Sequence, residues 1–112
     1  MGTTYKTLGQ VASTGTITTY DTLYTVPAST SSIVSNIVAC NRTSSPQTVR
    51  IACCATTTPA AKEFIAFDVS IPANDSIPLV IGVTMDTTVK NLMCSSTSAS
   101  VSFSAFGAEI TP

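Results

Sequence analysis

Residues 23–41 read LYTVPASTSSIVSNIVACN. A short apolar and aromatic run ends at Val26, Pro27 breaks it, and small residues follow to Ser32. A longer run rich in β-branched residues then extends from Ile33 to Cys40. Val, Ile, Thr and Tyr suit a pleated, half-buried surface, whereas Pro, Ser and Thr suit the turn between two strands. Strict alternation puts Ile33, Ser35, Ile37 and Ala39 on one face and Val34, Asn36, Val38 and Cys40 on the other. Apolar residues on both faces predict a central, largely covered strand.

The same rhythm continues downstream. Asn41 to Pro46 reads as a hairpin loop, and Thr48–Cys54 as a strand with Val49, Ile51 and Cys53 inward and Thr48, Arg50 and Ala52 outward. Pro59 to Phe64 has room for one helical turn. Glu63–Ser70 carries Phe64, Ile65, Phe67 and Val69, and Pro72-Ala73-Asn74-Asp75 is a turn signal. Ile77–Val83 follows, where Pro78 removes a ladder donor and so points to an edge or a strand start. Val89–Cys94 and Ser100–Phe106 complete the set.

The expected fold is all-β: a single antiparallel β-sandwich of about seven short strands, immunoglobulin-like or a small jelly roll, with an N-terminal arm. The expected core is Leu23, Val26, Ile33, Ile37, Val49, Ile51, Phe67, Val69, Leu79, Ile81, Val89, Val101 and Phe103.

Upstream, residues 1–20 form an arm or edge strand, and residues 21–112 the sandwich. The lead-in is polar, with Tyr5, Leu8, Val11 and Ile17 as sparse apolar anchors and Gly9 and Gly15 interrupting it. So thin a segment gains order by lying on a neighbouring chain, with those four residues filling its grooves.

At 112 residues there is one core's worth of chain. Charged residues make up 10 % and the formal net charge is −1, against roughly 25 % charged in ordinary soluble domains. Ser and Thr supply roughly a third of the chain, a strong bias. Such a surface is polar without self-repulsion and suits a protein packed against others. Lys6, Arg42, Arg50, Lys62 and Lys90 form no basic face, so nucleic acid is not an expected partner. No stretch is apolar enough to cross a membrane, and MGTTYKTLGQ does not read as a signal peptide.

Catalytic and metal chemistry find little material. The chain has no His, so a base-activated Ser or Cys and the usual zinc sites are not expected. Cys40, Cys53, Cys54 and Cys94 lack metal-ligand spacing and are expected as free thiols, the alternative being a bridge from Cys40 to Cys53 or Cys94. Asp21, Glu63, Asp68, Asp75, Asp86 and Glu109 sit at turns and strand ends, except Asp68, a mid-strand acid beside Phe67 expected to face outward. Asn41-Arg42-Thr43 and Asn74-Asp75-Ser76 match the glycosylation triplet but read as loops. No cofactor is expected.

The segments TYKTLGQ, DTLYTVPASTSSIVSNIVACNRTSS, KEFIAFDVSIPANDSIPLVIGVTM and VSFSAFGAEI together resemble small virion structural proteins of tailed bacteriophages of aquatic bacteria, cyanophages included. The resemblance covers nearly the whole chain and rests on packing and turn patterns. It implies a non-enzymatic, multi-copy component of the tail, baseplate or fibre. The alternatives are a capsid decoration (cement) protein and a carbohydrate- or receptor-binding module. It also implies copies of the same chain (a trimer first) and other virion proteins as partners, assembled in the host bacterial cytoplasm.

Overall fold

A computed structural model describes residues 2–112, with Val80 and Ile81 described by their backbone alone. The eight strands are β1 (Gly2–Ala12), β2 (Asp21–Thr25), β3 (Ser31–Asn41), β4 (Gln47–Cys54), β5 (Phe64–Ile71), β6 (Ser76–Met85), β7 (Asn91–Ser96) and β8 (Val101–Thr111). A 3-10 turn at Ala61–Glu63 stands before β5.

The strands form two four-stranded sheets, A in the order β1-β8-β3-β6 and B in the order β2-β7-β4-β5. Every pairing is antiparallel, and β1 pairs β8, β2 pairs β7, β3 pairs β6 and β4 pairs β5. The chain is therefore one long ribbon, bent back between β4 and β5 and rolled into two layers. That is jelly-roll topology, and it decides between the two sandwiches expected. β3 is central, as its two-sided apolar pattern requires, and β6 with Pro78 lies at an edge.

Residues 2–12 are an edge strand rather than a free arm, hydrogen-bonded along β8 from Gly2↔Thr111 to Ala12↔Ser102. Leu8 and Val11 pack on the chain's own core. Residues 13–20 loop across to β2, with Ile17 half-buried.

The core between the sheets centres on Phe103, Ile37, Ile51, Ile71, Leu92, Val34, Val49 and Val101. Leu23 and Val26 join it, and Val69 and Leu79 pack against it while half-buried. Three expected core residues do not: Ile33 is 41 % exposed, Phe67 54 % and Val89 37 %. The side chain of Ile81 lies outside the described residues.

Ile33 is displaced by a bulge. Against β8, β3 slips register between Val34 and Asn36, so Ser35 is an extra residue. The inward set changes phase there, from Ser32 and Val34 to Ile37, Ala39 and Asn41. Phe67 is displaced in the same way: β5 slips between Val69 and Ala66 opposite β4, and Asp68 takes a left-handed backbone, φ 53°. Val89 lies in the loop before β7, which begins two residues later than the sequence pattern suggests.

Candidate interaction surfaces

The chain's polar groups are committed first to holding its loops. Asn41 is 1 % exposed at the end of β3. Its Nδ2 lies 2.9 Å from the Ser45 carbonyl and 3.1 Å from those of Ile71 and Pro72, while its Oδ1 accepts from the Thr43 amide. The first glycosylation triplet is thus a buried loop lock whose amide is fully used. All six carboxylates have structural work. Asp21 accepts from the Thr14 amide, Asp75 from Ser76, Asp86 from Thr88 and Val89, and Glu63 from Ala60 and Ala55. Those amides hold the Glu63 and Asp86 carboxyls below the ordinary carboxylate range.

The four cysteines carry free thiols, Cys54 and Cys94 buried. Burial pushes the Cys54 thiol up to about 11 and raises Cys53 and Cys94 as well, so these sulfurs stay protonated and poorly nucleophilic. Among the described residues, no three Cys, Asp or Glu side chains converge as a metal-holding group. A hollow at one end of the sandwich is lined by the hydroxyls of Ser29, Thr30, Ser31, Thr87 and Thr111 with Ile110 and Pro112, and no Asp, Glu, Lys, Arg or Cys side chain is among them.

A polar bridge ties the sheets together at that same end. The Tyr24 hydroxyl, reaching from sheet B, donates to Glu109 Oε2 at 2.6 Å and lies 2.6 Å from Ser32 Oγ. Lys6 Nζ sits 3.3 Å from Glu109 Oε1. Burial, then Glu109, pushes the Tyr24 phenol up to about 12. The Tyr24 hydroxyl first, and Lys6 after it, hold the Glu109 carboxyl below its usual range. A carboxyl more acidic in the folded state adds stability that is complete above its unfolded pKa of about 4.3 and is lost as pH falls through the lower folded value. Glu63 and Asp86 act in the same direction. The urea midpoint should fall on acidification below about pH 4.3, and Tyr24→Phe should flatten that fall while lowering the midpoint at neutral pH. An equally steep acid limb in Tyr24→Phe would mean the Glu109 shift does not come from this bridge.

Because Lys6 and Glu109 turn inward, the outer face of sheet A is left without ions. Directly opposed residues share a face, so Tyr5, Ala108 and Ile33 form one outward row, and Thr7, Phe106 and Asn36 the next. Tyr5 is 84 % exposed and Phe106 37 %, with Ala108 nearly buried between Tyr5 and Ile33. Further along come Gln10, Ser104 and Val38, then Ala12, Ser102 and Cys40. No described side chain on this face carries a charge at neutral pH. Asn36 Oδ1, beside Phe106, is shielded from water and has no hydrogen-bond partner among the described residues.

The outer face of sheet B is different. Ala52, Cys54 and Met93 point outward yet are buried, because Tyr20 and Phe64 lie over them. Phe64 meets Tyr20 at 5.8 Å between ring centroids and Phe67 edge-on at 5.0 Å. Arg50 lies across the Phe67 ring, 4.1 Å from its centroid. Its Nε donates to Asp68 Oδ1 at 2.7 Å and its Nη1 to the Tyr20 hydroxyl at 3.2 Å.

Of the four residues read as arm anchors, Tyr5 is left exposed, Leu8 and Val11 pack against the chain's own core, and Ile17 sits half-buried in the loop before β2. Sequence reasoning missed Ile33 and Phe106 as surface residues and missed the aromatic cluster. The single local signal for the cluster was Asp68, an acid in mid-strand.

Compared with known protein families and with curated proteins, the sequence finds no match. Among solved structures the fold is similar to chains of infectious bursal disease virus. One is from its T13 viral particle, with a TM-score of 0.50 at 15 % identity. Others are from the Gx strain (0.51, 15 %) and the Gt strain (0.50, 12 %). In each case 96 % of this chain is covered, and it spans 30 %, 30 % and 32 % of the length of those chains.

Proposed function

We propose that this chain is a non-enzymatic virion structural protein, used in many copies and packed through the outer face of sheet A. The observation that carries this reading is the uncharged face itself, with Tyr5, Ile33 and Phe106 exposed on it. Apolar side chains gain roughly 25 cal/mol per Å² when covered, and no like charges oppose the approach of a second copy. The jelly-roll topology is one that virus shells use, and the fold similarity to chains of a viral particle supports the same setting.

Within a virion, the sequence resemblance to tailed-phage proteins supports a tail, baseplate or fibre component assembled in the bacterial cytoplasm, a trimer first. A capsid decoration protein is the second reading, and the similarity to chains of an icosahedral particle favours it.

The test is the oligomeric state in solution. The wild-type chain should sediment as a homo-oligomer, and a Tyr5→Glu/Phe106→Asp double variant should sediment as a monomer with an unchanged far-ultraviolet spectrum. A monomeric wild type, or a double variant that assembles equally well, would refute packing through this face.

A further inference from the structure

We propose that the outer face of sheet B is a binding site for a neutral saccharide, built on Phe64, Phe67 and the Arg50–Asp68 pair. It lies on the opposite side of the sandwich from the assembly face, and the inference does not depend on that face.

The rings form a faceted surface, with Phe64 tilted 53° to Tyr20 and set at 80° to Phe67. Phe67 keeps 54 % of its surface in water, a standing cost that the C–H face of a sugar ring would relieve. The polar groups beside it suit the same ligand. Arg50 uses Nε on Asp68 and Nη1 on Tyr20, so Nη2 and Asp68 Oδ2 make no hydrogen bond among the described residues. A free donor and a free acceptor side by side match neighbouring ring hydroxyls, each of which both donates and accepts.

Charge selects against ions. Arg50 and Asp68 largely neutralise each other at 2.7 Å, so the pair offers little net charge to attract an anion or a cation, whereas its free donor and acceptor remain open to a neutral polyol.

The backbone supports a built site. Asp68 holds a left-handed conformation in a strand, φ 53°, which costs a non-glycine residue energy and recurs at ligand sites. The accompanying bulge turns Phe67 and Asp68 outward together, which regular alternation would forbid. Ser95 is directly opposite Arg50 on this face, fully buried, with no partner for its Oγ. It is an unused hydrogen-bonding group beneath the surface on the β7 side of Arg50, away from Phe67 and Asp68 on β5.

Saturation-transfer NMR on the full chain tests the proposal, with oligosaccharides of glucose, galactose, mannose and N-acetylglucosamine as probes and sialyllactose as the anionic comparison. At least one neutral probe should receive saturation on its ring protons. Phe67→Ala, a surface change, and Asp68→Asn, which tolerates the left-handed backbone, should each weaken binding about tenfold or more with the fold intact. Transfer to sialyllactose above every neutral probe, or binding unchanged in both variants, would overturn it. So would transfer to none of the probes, which would leave this face to a protein partner.

Discussion

Replacing Phe103 by alanine should cost about 3–5 kcal/mol, whereas Phe67→Ala should cost about 1.5 kcal/mol or less. Both phenylalanines stand in apolar strand runs and both are expected inside from their sequences. Phe103 is fully buried in β8, paired across to Ala39 on β3 and Val11 on β1. Its removal leaves a cavity in the centre of sheet A's inner face, where two neighbouring strands prevent collapse. Phe67 is over half exposed and contributes one ring contact and one cation contact. Denaturant midpoints, with slopes unchanged from the wild type, measure the two costs. Equal losses would mean that Phe67 is buried in the folded chain and that β5 does not carry the bulge that turns it outward.

Gly107→Ala should be as damaging as a large core deletion, about 3 kcal/mol or more, although it adds one methyl group. A Cβ at 107 would fall far inside van der Waals contact with the Ile33 carbonyl oxygen, and 3.1 Å from the Ser35 amide nitrogen. Both are backbone atoms of the bulged segment of β3, so no side chain can rotate away to relieve the overlap. Overpacking usually costs 1–3 kcal/mol when side chains can shift, and the rigid neighbour puts this site at or above the upper end. Gly9→Ala should behave alike, because its Cβ would meet the Leu23 carbonyl where β1 closes on β2. Gly2→Ala is the control, since the nearest atom, Thr111 Oγ1, is at an ordinary 3.6 Å. It should change stability by less than about 0.5 kcal/mol. A Gly107→Ala variant as stable as Gly2→Ala would show that the β3 bulge does not approach β8 as described.

Both effects depend on bulges, and the bulges separate what local pattern reveals from what it does not. Period-two alternation and Pro/Asn/Ser turns were enough to place seven strands and the loops between them, since both are set by a residue and its immediate neighbours. The all-β class and the central position of β3 followed from the same local chemistry, while Pro78 allowed either an edge position or a strand start, and the sheet order shows the edge.

β1 was harder to read. Its apolar content is too thin for an independent strand, and it is ordered by the long ladder that β8 offers. The facing of Ile33 and Phe67 was illegible for a related reason. A single extra residue inverts every later side chain, and Ser35 and Asp68 become the extra residues through their register with β8 and β4.

The candidate surfaces lie at the far end of this scale. Tyr20, Arg50, Phe64 and Phe67 come from a loop and two strands. They converge because β4 and β5 pair across the bend in the ribbon while the loop before β2 folds over the sheet. Tyr5, Phe106 and Ile33 align only once β8 lies between β1 and β3. Strand identity is a property of short-range pattern, but the face a side chain takes and the company it keeps are settled by pairing between residues distant in the chain, where twist and close backbone approach decide the register.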